Sequence, residues 1–161
     1  MQSFSEEALG FESAPGQVGV VIAPAGVGKT AFLVHLGIDI ASRGEHVLHV
    51  ALGSRVDQVQ SWYDTLYGER FPDANDEARS DLHRRCVIQC LSPGVSLTTE
   101  RLEEWVQLYQ DHAFLHPHGI ILDGFDWDGP AILRAAEIGA LRSLARSRSA
   151  VVWMSASTHH P

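Results

Sequence analysis

Basic residues, cysteines and long apolar runs are all scarce in this 161-residue chain, and each scarcity narrows what it can be. Twelve Lys and Arg stand against twenty Asp and Glu, a net charge of -8. The surface as a whole repels a phosphate backbone, which disfavours nucleic acid as a partner. The one basic cluster, Arg142, Arg146 and Arg148, falls near the end of a predicted helix, where the helix dipole favours cations; this reading competes with a partner-contacting patch. Cys86 and Cys90 are the only cysteines, in the strand-like stretch RRCVIQCL. Four positions apart on a strand they share a face at roughly 13 Å, too far for a disulfide, and no His flanks them at zinc-ligand spacing. The longest apolar runs, such as residues 18–22, fall far short of the roughly 20 needed to cross a bilayer. No basic, apolar, small-residue leader opens the chain, so the expectation is a cytoplasmic protein without a membrane partner.

With 45% hydrophobic residues the chain can build one sizeable core, and it reads as a single domain over residues 1–161 with 1–16 as an N-terminal extension. From residue 17 short apolar runs alternate with helical patterns, as in a parallel sheet with crossover helices. Strands are expected at 17–23, 45–52, 85–91, 119–123 and 150–155. A helix from Lys29 to Gly44 would turn Phe32, Leu33, Leu36 and Ile40 inward. Ser54, with Asp57 three residues on, resembles the cap of a second helix ending at Gly68. Residues 69–84 read as a polar excursion with room for a short helix. Thr98 or Thr99 caps a third helix, and Asp128-Gly129-Pro130 opens a fourth.

The stretch APAGVGKT, residues 23–30, lies between the first strand and the first helix. A strand, a glycine-rich turn and Lys-Thr opening a helix are the parts of a P-loop. Gly26 and Gly28 let successive backbone N–H groups point inward, Lys29 supplies a charge for the outer phosphates, and Thr30 a hydroxyl for Mg²⁺. The expected phosphate-binding set is Ala25, Gly26, Val27, Gly28, Lys29, Thr30 and Ala31. Ala23 stands where the usual pattern has Gly, but at the end of a strand its side chain need not meet phosphate. A second element, an acid ending another buried strand, is supplied by IILD: Asp123 would hold the Mg²⁺ water shell with Thr30.

In APAGVGKT, GEHVLHVALGSRVDQV, IILD and AVVWMSAS, taken in order, the chain resembles the RecA-like P-loop ATPases, nearest the branch of the DnaB-type helicases and KaiC. The resemblance implies a three-layer α/β core whose five-stranded parallel sheet has the order 3-2-4-5-1. It implies ATP or ADP with Mg²⁺ as the cofactors. In that family a Glu just after the second strand activates the attacking water; here the matching position is Gly53. Other P-loop ATPases carry the Glu directly after the second acid, here Gly124. The polar residue that reads the outermost phosphate aligns with Ala156, leaving Ser155 or Ser157 as weak substitutes.

The expected function is therefore a nucleotide-binding protein, for Mg-ATP by resemblance, with weak or absent hydrolysis, serving as a regulatory or assembly module. The alternative is a competent ATPase whose base is Asp126 or comes from a neighbouring subunit. A homo-oligomer or a larger protein partner is open under either reading, because the first strand would be an apolar sheet edge.

Overall fold

A computed structural model of the protein describes residues 14–23, 28–124 and 131–157, with the backbone alone at 22–23, 131–134 and 156–157. Five strands alternate with helices: β1 (Val18–Ala23), α1 (Lys29–Ser42), β2 (His46–Leu52), α2 (Val56–Arg70), α3 (Asp76–Arg85), β3 (Cys86–Leu91), α4 (Thr99–Ala113), β4 (Pro117–Asp123), α5 (Ala131–Arg148) and β5 (Val151–Ser157). All pairings are parallel and the sheet order is β1-β5-β4-β2-β3, the expected 3-2-4-5-1 read from the other edge.

The strand sequences sort their side chains to two faces by simple alternation. Val47, Ala51, Ile121, Val151 and Trp153 face a core closed by α1, α2 and Leu82 of α3. Leu48, Val50, Ile120, Leu122, Val152 and Met154 face a second core closed by α4 and α5. Central strands buried on both faces read as continuous apolar runs, which is why IIL in β4 carried the strand assignment.

Helix α1 is buried over more of its circumference than the four-residue stripe expected of it: Leu33, Val34, Leu36, Ile38, Ile40 and Ala41 are all at most 3% exposed. The helix lies between the sheet and α2, so it has no broad solvent face. This burial encloses Asp39, whose carboxylate takes a 2.7 Å hydrogen bond from Arg70 in the last turn of α2. Arg70 also reaches the backbone carbonyl of His35, pinning α2 to α1.

Several expected boundaries move. The cap of α2 is Arg55, not Ser54, and the side chain that reaches back is Gln58, whose Oε1 accepts the Arg55 N–H at 3.0 Å. Asp57 pairs with the Arg55 guanidinium instead. The helix runs through Gly68 to Arg70, because the glycine costs only about 1 kcal/mol there and the following ion pair holds the last turn. Residues 69–84 are no mere excursion. Asn75 caps α3 by accepting the Ala78 N–H, and acids open and bases close that helix in the sense its dipole prefers. Thr98 caps α4 as expected. The expected opening of the last helix at Asp128-Gly129-Pro130 lies outside the described residues. Arg148, in the last turn of α5, is bound to Gln107 and Gln110 on α4, a structural use for one member of the basic cluster. Among the described residues no helix is long and apolar enough to cross a membrane.

Candidate functional site

Every strand runs the same way, so the carboxyl ends of β1, β5, β4 and β2 open on one side of the sheet. The topology is Rossmann-like, of the kind that binds nucleotides in general, and open sheets of this kind bind ligands at that side. Beyond the end of β1, Gly28 is left-handed at φ 88° with nothing near where a Cβ would stand, so conformation rather than crowding calls for glycine. Its carbonyl accepts the Phe32 N–H at 3.0 Å, the first bond of α1. Lys29, Thr30 and Ala31 thereby fall in the first turn, where backbone N–H groups have no partner within the helix. Ala25, Gly26 and Val27 lie outside the described residues, as does Asp126.

Asp123 ends β4 beside this turn and is 8% exposed. Ser155 of β5 donates its hydroxyl to the Asp123 carboxylate at 3.3 Å and accepts the Gly124 N–H at 3.1 Å. Burial pushes the Asp123 carboxyl up, but the neighbouring side chains, the His49 ring first and then the Thr30 and Ser155 hydroxyls, outweigh that and hold it below the ordinary carboxylate range. Thr30 and Asp123, expected at a metal from separate sequence motifs, thus lie close enough for the Thr30 hydroxyl to act on the carboxylate. Ser155, expected as a weak substitute for the phosphate-reading residue, directs its hydroxyl to Asp123 and Gly124.

The two glycines that the resemblance aligns with a catalytic Glu, Gly53 and Gly124, have conformational reasons to be there. Gly53 leaves β2 at φ 78°, tied by its N–H to the Leu91 carbonyl at 2.9 Å. Gly124 leaves β4 at φ 83°, and a Cβ on it would stand 2.7 Å from the Leu52 carbonyl oxygen. A side chain at either site is conformationally strained, and at Gly124 it also collides with backbone.

Two features of the site went unread in the sequence. Thr30 lines a cleft of about 600 Å³ with Ser54 and with Asp57, Gln58 and Trp62 of α2, so Asp57, assigned above to a cap, shares a cleft with the Thr30 hydroxyl. The other is His49, fully buried beneath Asp123, with Nε2 3.8 Å from the carboxylate and Nδ1 2.8 Å from the Tyr63 hydroxyl. The signal was available: in HVLHVAL, His49 alternates with Val47 and Ala51 and so faces the core under α1.

Compared with models of known families and with curated proteins, the chain matches none. The site's meaning rests on its own geometry.

Proposed function

We propose that this chain binds a nucleoside triphosphate, by resemblance Mg-ATP, between the turn at residues 25–31 and Asp123, and hydrolyses it slowly or not at all. It would then act as a regulatory or assembly module. One observation carries the reading: a buried carboxylate at the end of β4, braced by Ser155, stands beside Thr30, two residues past a left-handed glycine at the start of a helix. The helix N-terminus and Lys29 favour an anion. Thr30 and Asp123 offer oxygen donors only, which suits a hard cation that keeps most of its water. When bound, Mg²⁺ offsets charge on the phosphates; Thr30 would hold the ion and Asp123 would orient its water shell. Among the described residues no three His, Cys, Asp or Glu side chains gather as a denser metal centre. Slow hydrolysis follows from the two strained glycine positions, since a positioned base contributes typically 10²–10⁴-fold in rate.

A second reading, a competent ATPase, draws on Asp57, which shares the cleft with Thr30. Nucleotide affinity measured beside steady-state phosphate release separates the two. Under the first reading native protein binds Mg-ATP, Lys29→Ala weakens binding about 10- to 100-fold through loss of a charge-assisted contact, and no Lys29-dependent release is seen. Robust release lost in both Lys29→Ala and Asp57→Asn establishes the second reading instead. Absence of any nucleotide binding by the native chain refutes both.

A further inference from the structure

Four polar or charged residues are buried among the described residues: Asp39, His49, Asp123 and Ser155. Asp39 is held by Arg70, and Ser155 braces Asp123. His49 remains to be explained. It is 0% exposed, in the middle of a central strand, and its Nε2 has no hydrogen-bond partner. Burying such a group costs about 1–3 kcal/mol, where a valine would cost nothing.

We propose that Tyr63 and His49 form a positioning relay behind Asp123, in which the Tyr63 hydroxyl donates to Nδ1 of His49 and so fixes the ring proton on Nε2, facing the carboxylate. The functional half of this rests on the cradle reading above. Geometry selects the proton's place. The opposite arrangement, Nδ1–H donating to the Tyr63 oxygen, would aim the bare lone pair of Nε2 at an anionic oxygen 3.8 Å away. It would also oblige the hydroxyl, on a side chain only 2% exposed, to find another acceptor for its own proton, whereas among the described residues its hydrogen-bond partner is the His49 ring. With the proton on Nε2 both conflicts vanish.

The fold makes room for this arrangement. Tyr63 descends from α2 across α1, and a Cβ on Gly37 would stand 2.4 Å from its hydroxyl. A glycine in a helix interior costs about 1 kcal/mol relative to alanine, and here it seats one hydroxyl. The two rings stand at 79° to one another, and Nδ1 lies 2.8 Å from the hydroxyl.

At 3.8 Å the Nε2–H is too far to take up a lone pair of Asp123, yet close enough to attract the carboxylate electrostatically. Ser155 fixes Oδ1, and His49 draws Oδ2 into a set orientation while leaving it able to accept from a metal-bound water. His49 and Tyr63 are positioning residues for the Mg²⁺-dependent part of nucleotide binding. Removing an outer partner of this sort costs 10–100-fold in metal affinity where the partner bonds directly. Through a longer contact we expect about 10-fold.

The test has two arms. Ring ¹⁵N resonances of His49 in the full chain without metal or nucleotide, assigned by their loss in His49→Gln, should show a protonated Nε2 and an unprotonated Nδ1. Tyr63→Phe, which removes one oxygen, should mix the tautomers. A native Nδ1–H tautomer, or a signature indifferent to Tyr63→Phe, overturns the relay. In the second arm, Mg²⁺ is titrated at fixed fluorescent ATP analogue. The half-saturating Mg²⁺ concentration should rise about 10-fold in Tyr63→Phe, while analogue binding in chelator stays unchanged. Equal losses with and without metal would mean a packing defect and defeat the proposal. A native chain that binds no analogue refutes the cradle reading, and the tautomer measurement still decides the relay.

Discussion

Replacing Gly37 by alanine sets two well-characterised effects against each other. On propensity alone the change stabilises a helix interior by about 1 kcal/mol. In this helix the new methyl carbon would stand 2.4 Å from the Tyr63 hydroxyl, 3.0 Å from its ring carbon Cε1 and 3.1 Å from Ile121 Cδ1. Tyr63 is 2% exposed and Ile121 0%, so neither can retreat into solvent. Overpacking of this kind costs about 1–3 kcal/mol. Displacing the hydroxyl from His49 leaves two buried polar atoms unpaired, for about another 1–3 kcal/mol. Less the propensity gain, the expected loss is about 1–5 kcal/mol. At 2–4 °C per kcal/mol for a chain of this size, a loss near 3 kcal/mol lowers the melting temperature by about 6–12 °C. Circular dichroism melts of four proteins check this: native, Gly37→Ala, Gly37→Ala with Tyr63→Phe, and Gly139→Ala. Gly139 lies in α5 with nothing within 4 Å of its would-be Cβ, so there alanine should be neutral or stabilising by up to about 1 kcal/mol. The double variant should lose less than its singles together, because the nearest colliding atom is gone. A Gly37→Ala melt at or above native, or strict additivity in the double variant, refutes the reasoning.

Asp39→Asn should destabilise the protein by about 3–5 kcal/mol, since it strands the Arg70 guanidinium, 18% exposed, against a buried neighbour; urea unfolding of this variant beside Asp39→Leu/Arg70→Met should show the paired replacement recovering most of the loss. Burial pushes the Cys86 thiol up to about 12, Arg85 opposing only weakly, whereas Cys90 is raised less and is partly exposed. Iodoacetamide at pH 8 should therefore label Cys90 first and leave Cys86 unmodified in folded protein, as peptide mapping would show. Gly53→Glu places a base at the end of β2, where a Cβ meets only Pro93 at 3.8 Å, but forces an L side chain to φ 78°. It should cost about 1–2 kcal/mol of stability and raise phosphate release; release equal to native at saturating Mg-ATP would show that the missing Glu is not the limiting defect.

How much of this was legible in the sequence depended on which signal each element carries. All five strands announced themselves, because IIL, VLHVAL and VVWM are apolar runs bounded by turns, and alternation told their faces. The sheet order came from resemblance rather than from periodicity, which says nothing of neighbours. Helix α3 was understated because DEARSDLHRR has a single buried residue, Leu82, and is held by its cap and end charges instead of an apolar stripe. The expected phosphate-binding stretch was read from residue types, and the structure sets Thr30 near Asp123. His49 escaped because one histidine among nine carries no pattern of its own; only its place in the strand's alternation, and a tyrosine fourteen residues on, give it meaning. Gly53 and Gly124 were read as positions without an acid; their positive φ angles, which no sequence pattern shows, add a conformational reason for glycine where the chain leaves β2 and β4.

The pairing of β1 with β5 also has a consequence for synthesis. Val18 aligns with Val152, so β1 waits for a partner that leaves the ribosome about 130 residues later. At 5–20 residues per second that wait lasts roughly 7–30 s. Throughout it, VGVVIA is an apolar ribbon with no neighbour on the side that β5 will fill. The nascent protein therefore carries this unpaired ribbon for far longer than its hydrophobic collapse takes.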